Sequence, residues 1–235
     1  MVQMIIAEMA EPFYAVRVRF YKKGSLAYIA HLDLVRTMTK AIARAKIPVR
    51  YSEGFNPHPR LSFATAMSIG LESECEFMDI RLEKTVDPAA LLEALNQNLT
   101  EELAGTEAYI PVFKLNDIAY SSYVFRIRTE GASEALARLC EEALHRSPVT
   151  VFKRSKSGDK DTDISGSIKS VSARFEKDEL VLDACLAADN AGFLNPEYLI
   201  TYLKGTLGIL SGDPLSQGYT IVRTGLYTSD MTPFR

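Results

Sequence analysis

The chain has 235 residues, of which 47% are hydrophobic and 24% are charged, a composition typical of a globular protein that buries a core. No apolar run approaches the roughly 20 residues that cross a bilayer, and the first residues lack the pattern of a signal peptide, so we expect a cytoplasmic protein without membrane contact. The net charge is −3, but residues 1–60 carry ten Lys and Arg against four Asp and Glu. The sequence therefore predicts a basic surface on an otherwise acidic body.

The first half alternates between strand and helix patterns. Residues 14–21 alternate polar and apolar side chains, which predicts a strand, and residues 32–46 have apolar side chains at helical spacing. Short strands follow up to residue 83. Asp87 and Pro88 then suit the N-cap and first position of a second helix, and residues 107–115 resemble a closing strand. The order β-α-β-β-α-β is that of a ferredoxin-like domain.

The second half repeats this order. A strand pattern at residues 122–130 is followed by a helix with Ser133 as N-cap, by further strands, by a helix that Asn195 and Pro196 begin, and by a closing strand at 219–228. We therefore expect an α+β protein of two tandem ferredoxin-like (βαββαβ) domains, at residues 12–115 and 120–235. The polar stretch 153–170 either extends a hairpin or is mobile.

Basic side chains gather in the first third. Alternation along the first strand places Arg17 and Arg19 on the face opposite Val16 and Val18, where they could form a platform for a polyanion with stackable bases or only a solvated strand face. On the first helix, three cations recur at every fourth residue and form one ridge. The full set of candidate nucleic-acid-binding residues is Arg17, Arg19, Lys22, Lys23, Arg36, Lys40, Arg44, Arg50 and Arg60.

The segment YSEGFNPHPR (residues 51–60) is unusually stiff. Pro57 and Pro59 fix their own backbones and restrict Asn56 and His58 to extended geometry. We expect this loop to pack against the start of the first helix and to shape a pocket with basic walls. Catalytic candidates there are His31, Asp33 and His58, although a histidine at a helix start is usually structural.

Other chemistry has little support. Cys75, Cys140 and Cys185 match no zinc or iron–sulfur spacing, and the two histidines, 27 residues apart, do not compel a metal site. No phosphate loop, nucleophile elbow or dinucleotide fingerprint is present. We therefore predict no cofactor and no metal.

Residues 20–64, followed by SIGLESECEFMDIRL, closely resemble the radical-SAM-associated domain family. The resemblance implies a bacterial cytoplasmic protein that works with a cobalamin-binding radical SAM protein, and it points to RNA or ribosome metabolism. The chain lacks the CxxxCxxC motif that binds the radical-generating cluster, so that chemistry would reside in a separate partner chain. The positions that match the family motif within the loop are Ser52, Gly54, Phe55, Asn56 and His58.

Three functions remain open. The first is a non-catalytic RNA-recognition or substrate-presenting partner of a radical SAM enzyme. The second is a metal-independent endoribonuclease that uses His31 or His58 as general base, suggested by fold analogy alone. The third is a module that only docks on an acidic protein surface.

Overall fold

The computed structural model describes residues 14–153, 158–189 and 192–235, which form an α+β protein, as predicted. The strands are β1 (Tyr14–Lys22), β2 (Leu61–Phe63), β3 (Glu72–Leu82), β4 (Gly105–Tyr109), β5 (Tyr120–Arg128), β6 (Thr150–Lys153), β7 (Lys160–Asp163), β8 (Ile168–Glu176), β9 (Glu179–Ala187) and β10 (Gly218–Tyr227). The helices are α1 (His31–Arg44), α2 (Pro88–Asn96), α3 (Glu134–His145) and α4 (Glu197–Leu207). No helix in these described ranges is long and apolar enough to cross a bilayer.

Eight strands form one large, mostly antiparallel sheet. Seven of them follow the order β4-β1-β3-β10-β5-β9-β8, and β2 pairs with β3 beside that path. Only the contact between β3 and β10 is parallel in this described sheet, and it consists of the pairs Val222–Glu72 and Arg223–Ser73. This short contact joins the strands of the first half to those of the second. Strands β6 and β7 form a separate antiparallel pair.

Each half of the chain has its own apolar core. In the first half, α1 buries Met38 and Ile42, as its spacing predicts, against Val16, Val18 and Ile80 of the sheet. In the second half, α3 and α4 cover the inward face of β5 and β9. A smaller cluster fills the boundary between the halves and contains Cys75, Phe77, Ile118, Ala188, Leu226 and Phe234. Burial of these side chains is the main force that holds the layers together.

The helix starts predicted at Asp87 and Ser133 are confirmed, whereas α4 begins one residue later than predicted, at Glu197 with Pro196 as its N-cap. The Asp87 carboxylate accepts a hydrogen bond from the Ala90 amide (3.1 Å), with Pro88 as the first helical residue. The Ser133 hydroxyl accepts one from the Leu136 amide (3.3 Å). Both side chains satisfy amide groups that the first turn of a helix leaves without a backbone partner.

Two strand predictions needed revision. Of the short strands expected up to residue 83, the one around residue 50 is reduced to isolated bridges at Val49 and Tyr51. The strand expected at 107–115 is β4, which begins at Gly105 and ends at Tyr109, before Pro111, whose nitrogen has no hydrogen to donate. Within the polar stretch, residues 154–157 lie outside the described residues, and β6 and β7 on either side of them form a hairpin.

Candidate nucleic-acid interface

The stiff segment forms a hairpin that leaves the edge of the sheet. Tyr51 and Pro59 pair across it, and the Ser52 amide donates to the His58 carbonyl (2.9 Å). The Ser52 hydroxyl accepts from the His58 amide (3.1 Å) and lies 2.9 Å from His58 Nδ1. Gly54 has φ of +119°, which favours glycine. These bonds brace the two legs of the hairpin against each other.

The tip of the hairpin carries an exposed aromatic ring. Phe55 is 106% exposed, so the remainder of the described chain covers none of it. Glu53, Asn56 and His58 beside it are also exposed. Tyr51, at the base of the tip, is 45% exposed. The motif residues therefore present a single large apolar group among polar ones.

Three arginines meet where the hairpin joins β3. The Arg60 amide donates to the Arg50 carbonyl (2.8 Å), the Arg81 amide to the Arg60 carbonyl (3.1 Å), and the Arg50 amide to the Arg81 carbonyl (2.8 Å). We call Arg50, Arg60 and Arg81 the arginine junction. All three are half-buried, and Nε of Arg60 is buried with no hydrogen-bond partner among the described residues. The junction therefore places three arginines on stretches of main chain that are hydrogen-bonded to one another.

The arginine junction faces away from the helices. Leu61, Ile80 and Leu82 point into the first core. Because side chains alternate along a strand, the neighbouring Arg60 and Arg81 point to the opposite face of the sheet. The Asp79 carboxylate lies on that face too, but it is bound by Arg17. The cations of the junction therefore belong to the helix-free side of the first half.

The expected Arg17–Arg19 platform is not accessible as predicted. Arg17 is fully buried, and its guanidinium donates to both Asp79 oxygens (2.6 and 2.8 Å) and to the Arg235 carbonyl (2.7 Å). The Phe234 ring lies 4.5 Å from its central carbon. Arg19 is partly exposed and pairs with Glu107 at 3.2 Å. The final residues of the described chain cover this part of the sheet, so Arg17 cannot meet a ligand at the surface.

Lys22 also differs from the prediction, whereas Lys23 is partly exposed. Lys22 is buried and donates to the Ala27 carbonyl at 2.7 Å. Burial lowers the pKa of its ammonium group, and the Glu76 carboxylate opposes that shift. Lys23 lies 3.6 Å from Glu74 and 3.8 Å from the centre of the Tyr21 ring. Lys22 is an interior residue rather than part of a basic surface.

The cationic ridge of α1 is real but separate from the arginine junction. Arg36 pairs with Asp33 at 2.9 Å, Arg44 donates to the Asn98 carbonyl at 2.9 Å, and Lys40 is exposed. Helix α1 covers the opposite face of the sheet, where its buried side chains pack into the first core. The basic residues therefore lie on two surfaces instead of one.

The two candidate histidines, His31 and His58, have different surroundings. The His31 ring lies edge-on to Phe63, with 5.6 Å between centroids, beside a cavity of about 10 Å³ lined also by Lys22 and Glu76. That volume suits about one water molecule. The contacts of His58 are with Ser52 and Asn56 inside the hairpin, at the other end of β2. Among the described residues, no three His, Cys, Asp or Glu side chains are grouped to hold a metal ion.

Sequence reasoning missed a buried charge cluster at the boundary between the halves. Arg223 on β10 is fully buried and donates through Nη1 to Glu76 (3.0 Å) and to the Thr65 carbonyl (3.0 Å). Burial works against the charged form, but Glu76 and Tyr123 raise the pKa of the guanidinium above its ordinary value. The signal in the sequence was the alternation that places Arg223 on the same face as the buried Ile221.

Comparisons with known proteins give a family. A family model described as "Uncharacterized protein conserved in bacteria (DUF2344)" matches residues 15–196. A search of curated proteins found no significant match. Among solved structures, the chain is similar to an unknown protein from Galdieria sulphuraria, with 12% identity and a TM-score of 0.25 over 90% of this chain and 99% of that one. A TM-score this low carries no argument about fold or function.

Proposed function

We propose that this chain, which belongs to the bacterial family DUF2344, is a non-catalytic RNA-recognition protein. Its contact surface is the arginine junction together with the hairpin of residues 51–59. The ridge on α1 is a different surface, and the buried Arg17 and Lys22 contribute to folding rather than to binding.

The convergence of Arg50, Arg60 and Arg81 carries this proposal. Their main chains are hydrogen-bonded to one another, so three guanidinium-bearing residues are held together by the fold. Guanidinium groups match phosphate oxygens with two parallel hydrogen bonds. A phosphate backbone is therefore the ligand that this arrangement suits best.

We propose further that the halves are two ferredoxin-like domains, 12–115 and 120–235. The strand order supports this, because β4-β1-β3-β2 and β10-β5-β9-β8 are equivalent antiparallel arrangements of four strands each. The separate cores of the two halves support it as well. In such a domain the helices cover one face of the sheet, and the other face is available for a ligand. The arginine junction lies toward that second face.

We also propose that the protein presents RNA to a radical SAM enzyme on a separate chain in the bacterial cytoplasm. The support is the motif resemblance around residues 17–82. The test is co-purification of the tagged chain from its native host, with and without ribonuclease. A radical SAM protein recovered together with a defined RNA is the expected result. Recovery of a protein partner whose binding is indifferent to ribonuclease would favour a docking module.

Direct binding measurements test the RNA role. We would titrate the protein into labelled, mixed-sequence RNA and follow fluorescence anisotropy at several salt concentrations. Arg60→Glu should weaken binding at least about tenfold and reduce the salt slope by about 1. Arg36→Glu on α1 is the matched control and should have little effect, because it lies on the other side of the sheet. Circular dichroism of each variant establishes that it is folded.

Each outcome has a distinct meaning. Loss of affinity in Arg36→Glu but not in Arg60→Glu would move the RNA to the α1 ridge. Absence of binding to any RNA at low salt, with the protein folded, would refute the RNA role. Cleavage of the labelled RNA would contradict the non-catalytic part of the proposal.

A further inference from the structure

We infer that Phe55 at the hairpin tip is a stacking platform for an unpaired base, so that the ligand is single-stranded RNA. This inference rests on the proposed function and names the class of RNA that the same surface takes. It differs from the charge argument, because a phosphate backbone alone does not distinguish single strands from duplexes.

The hairpin holds its tip ready for binding. Prolines at 57 and 59 restrict one leg, and the hydrogen bonds between Ser52 and His58 tie it to the other. A segment that is already ordered loses little conformational entropy when a ligand binds. A braced loop with an uncovered aromatic ring is thus suited to recognition, whereas a structural staple would bury that ring.

The surroundings of Phe55 favour a base over a protein partner. A stable protein interface covers about 800 Å² on each side and has an apolar centre. Phe55 is instead one fully exposed ring flanked by exposed Glu53, Asn56 and His58, and Tyr51 at the base of the tip is 45% exposed. Stacking of one base requires one ring, and the polar neighbours can hydrogen-bond to base edges.

Charge separates the two parts of the surface. Glu53 places a carboxylate near the tip, which repels phosphate. The arginine junction, at the base of the hairpin, attracts it. Five residues of extended chain separate Phe55 from Arg60, a distance of at most about 18 Å. The arrangement therefore fits a single RNA strand whose phosphates contact the arginines while one unstacked base reaches Phe55. A base that is paired in a duplex cannot reach the tip in this way.

The test compares a single strand with a duplex. Labelled RNA of about 12 nucleotides, a length within the usual range of one binding domain, is titrated as a single strand and as a perfect duplex. We expect the wild-type protein to prefer the single strand. Phe55→Ala should weaken single-strand binding roughly 5- to 150-fold, the effect of losing one base–aromatic stack, and should leave duplex binding nearly unchanged. Phe55→Tyr keeps a ring and should retain wild-type affinity.

Two further variants separate the inference from the proposed function. Phe55→Leu keeps an apolar side chain without a ring, so wild-type affinity in this variant would overturn stacking. Arg60→Glu should weaken binding to both RNAs. If Arg60→Glu weakens both while Phe55→Ala changes neither, the RNA role stands and the base platform is refuted. If the wild-type protein binds no RNA, the RNA role and the base platform are both refuted. A protein that binds the wild-type chain but not Phe55→Ala would then identify the hairpin tip as a protein-docking site.

Discussion

Arg223 of β10 and Glu76 of β3 form a buried ion pair, with Nη1 and Oε1 3.0 Å apart, across the boundary between the two halves. The Arg223 side chain is 0% exposed and that of Glu76 is 8% exposed. The charge of Glu76 also acts on the buried ammonium group of Lys22. One carboxylate therefore compensates two buried cations where the halves meet.

Replacement of Glu76 should destabilise the protein strongly. Glu76→Ala leaves Arg223 and Lys22 without their anion, and removal of one partner of a buried pair typically lowers the free energy of unfolding by about 3–5 kcal/mol. Urea unfolding followed by circular dichroism measures the change. The control is Glu107→Ala, which removes the partner of the more exposed Arg19 and should cost about 0.2–1 kcal/mol. A loss below about 1 kcal/mol in Glu76→Ala would show that the pair is not a stabilising contact.

Phe234 should behave as a core residue, although it lies far along the chain from its partners. Its ring is 5.2 Å from that of Phe77 and 6.1 Å from that of Phe113, and it covers Arg17. Phe234→Ala should lower the free energy of unfolding by about 3–5 kcal/mol, measured by urea unfolding. Phe234→Leu, which retains most of the volume, should cost less than about 1.5 kcal/mol. Equal stability of the alanine variant and the wild type would show that this segment is not part of the folded core.

Local features of the sequence predicted most of the secondary structure. The helix starts at Asp87 and Ser133 depend on residues within one turn, and the apolar spacing of α1 depends on residues within the helix. The β3–β10 contact pairs residues about 150 positions apart, and no short-range pattern specifies it. The continuous sheet was therefore not predictable from periodicity.

The site was predicted only in part, because some of its contacts also join residues that are far apart in the sequence. Alternation correctly placed Arg17 opposite Val16 and Val18, but Arg235, which binds it, is 218 residues away. Lys22 lies on the same face of β1 as the buried Phe20, so regular alternation already indicated its direction. It was counted as basic surface because of its charge and its place in the sequence. The stiffness of the hairpin was predicted correctly from its prolines and Gly54. Its hydrogen bonds among the described residues join its own legs and β3, and none joins it to the start of α1 as expected. The inclusion of Arg81 needed the pairing of β3 with the hairpin.

The cysteines should be inert in the folded protein. Cys75, Cys140 and Cys185 are free and buried. Burial raises the pKa of Cys75 to about 12 and that of Cys140 to about 11, and it also raises the pKa of Cys185. The thiolate is the reactive form, so a thiol reagent at about pH 8, near the ordinary thiol pKa, should react only after unfolding. A Ser172→Cys variant, with its thiol on the exposed face of β8, should react at once. Rapid labelling of the wild-type protein would contradict the burial of these side chains.

Asp163 should make the free energy of unfolding depend on pH in the acid range. Its carboxylate accepts hydrogen bonds from the Ser165 amide (2.9 Å) and the Val149 amide (3.0 Å). These bonds, with the Ser165 contacts strongest, hold its pKa below the ordinary 3.8. Because the folded-state pKa is the lower one, the stabilisation is complete well above pH 3.8 and is lost as the pH falls through the folded-state value.

Asp163→Asn tests this dependence, because an amide cannot become charged. The variant should be less stable than the wild type at neutral pH, and the difference should shrink as the pH is lowered through the folded-state pKa of Asp163, measured by urea unfolding across the acid range. Asp161→Asn, on the same strand with an exposed side chain, is the control and should show little such convergence. A difference between Asp163→Asn and the wild type that stays constant down to the acid limit would mean that the ionised carboxylate does not support the β6–β7 hairpin, and that the geometry at Val149 and Ser165 is held by the backbone alone.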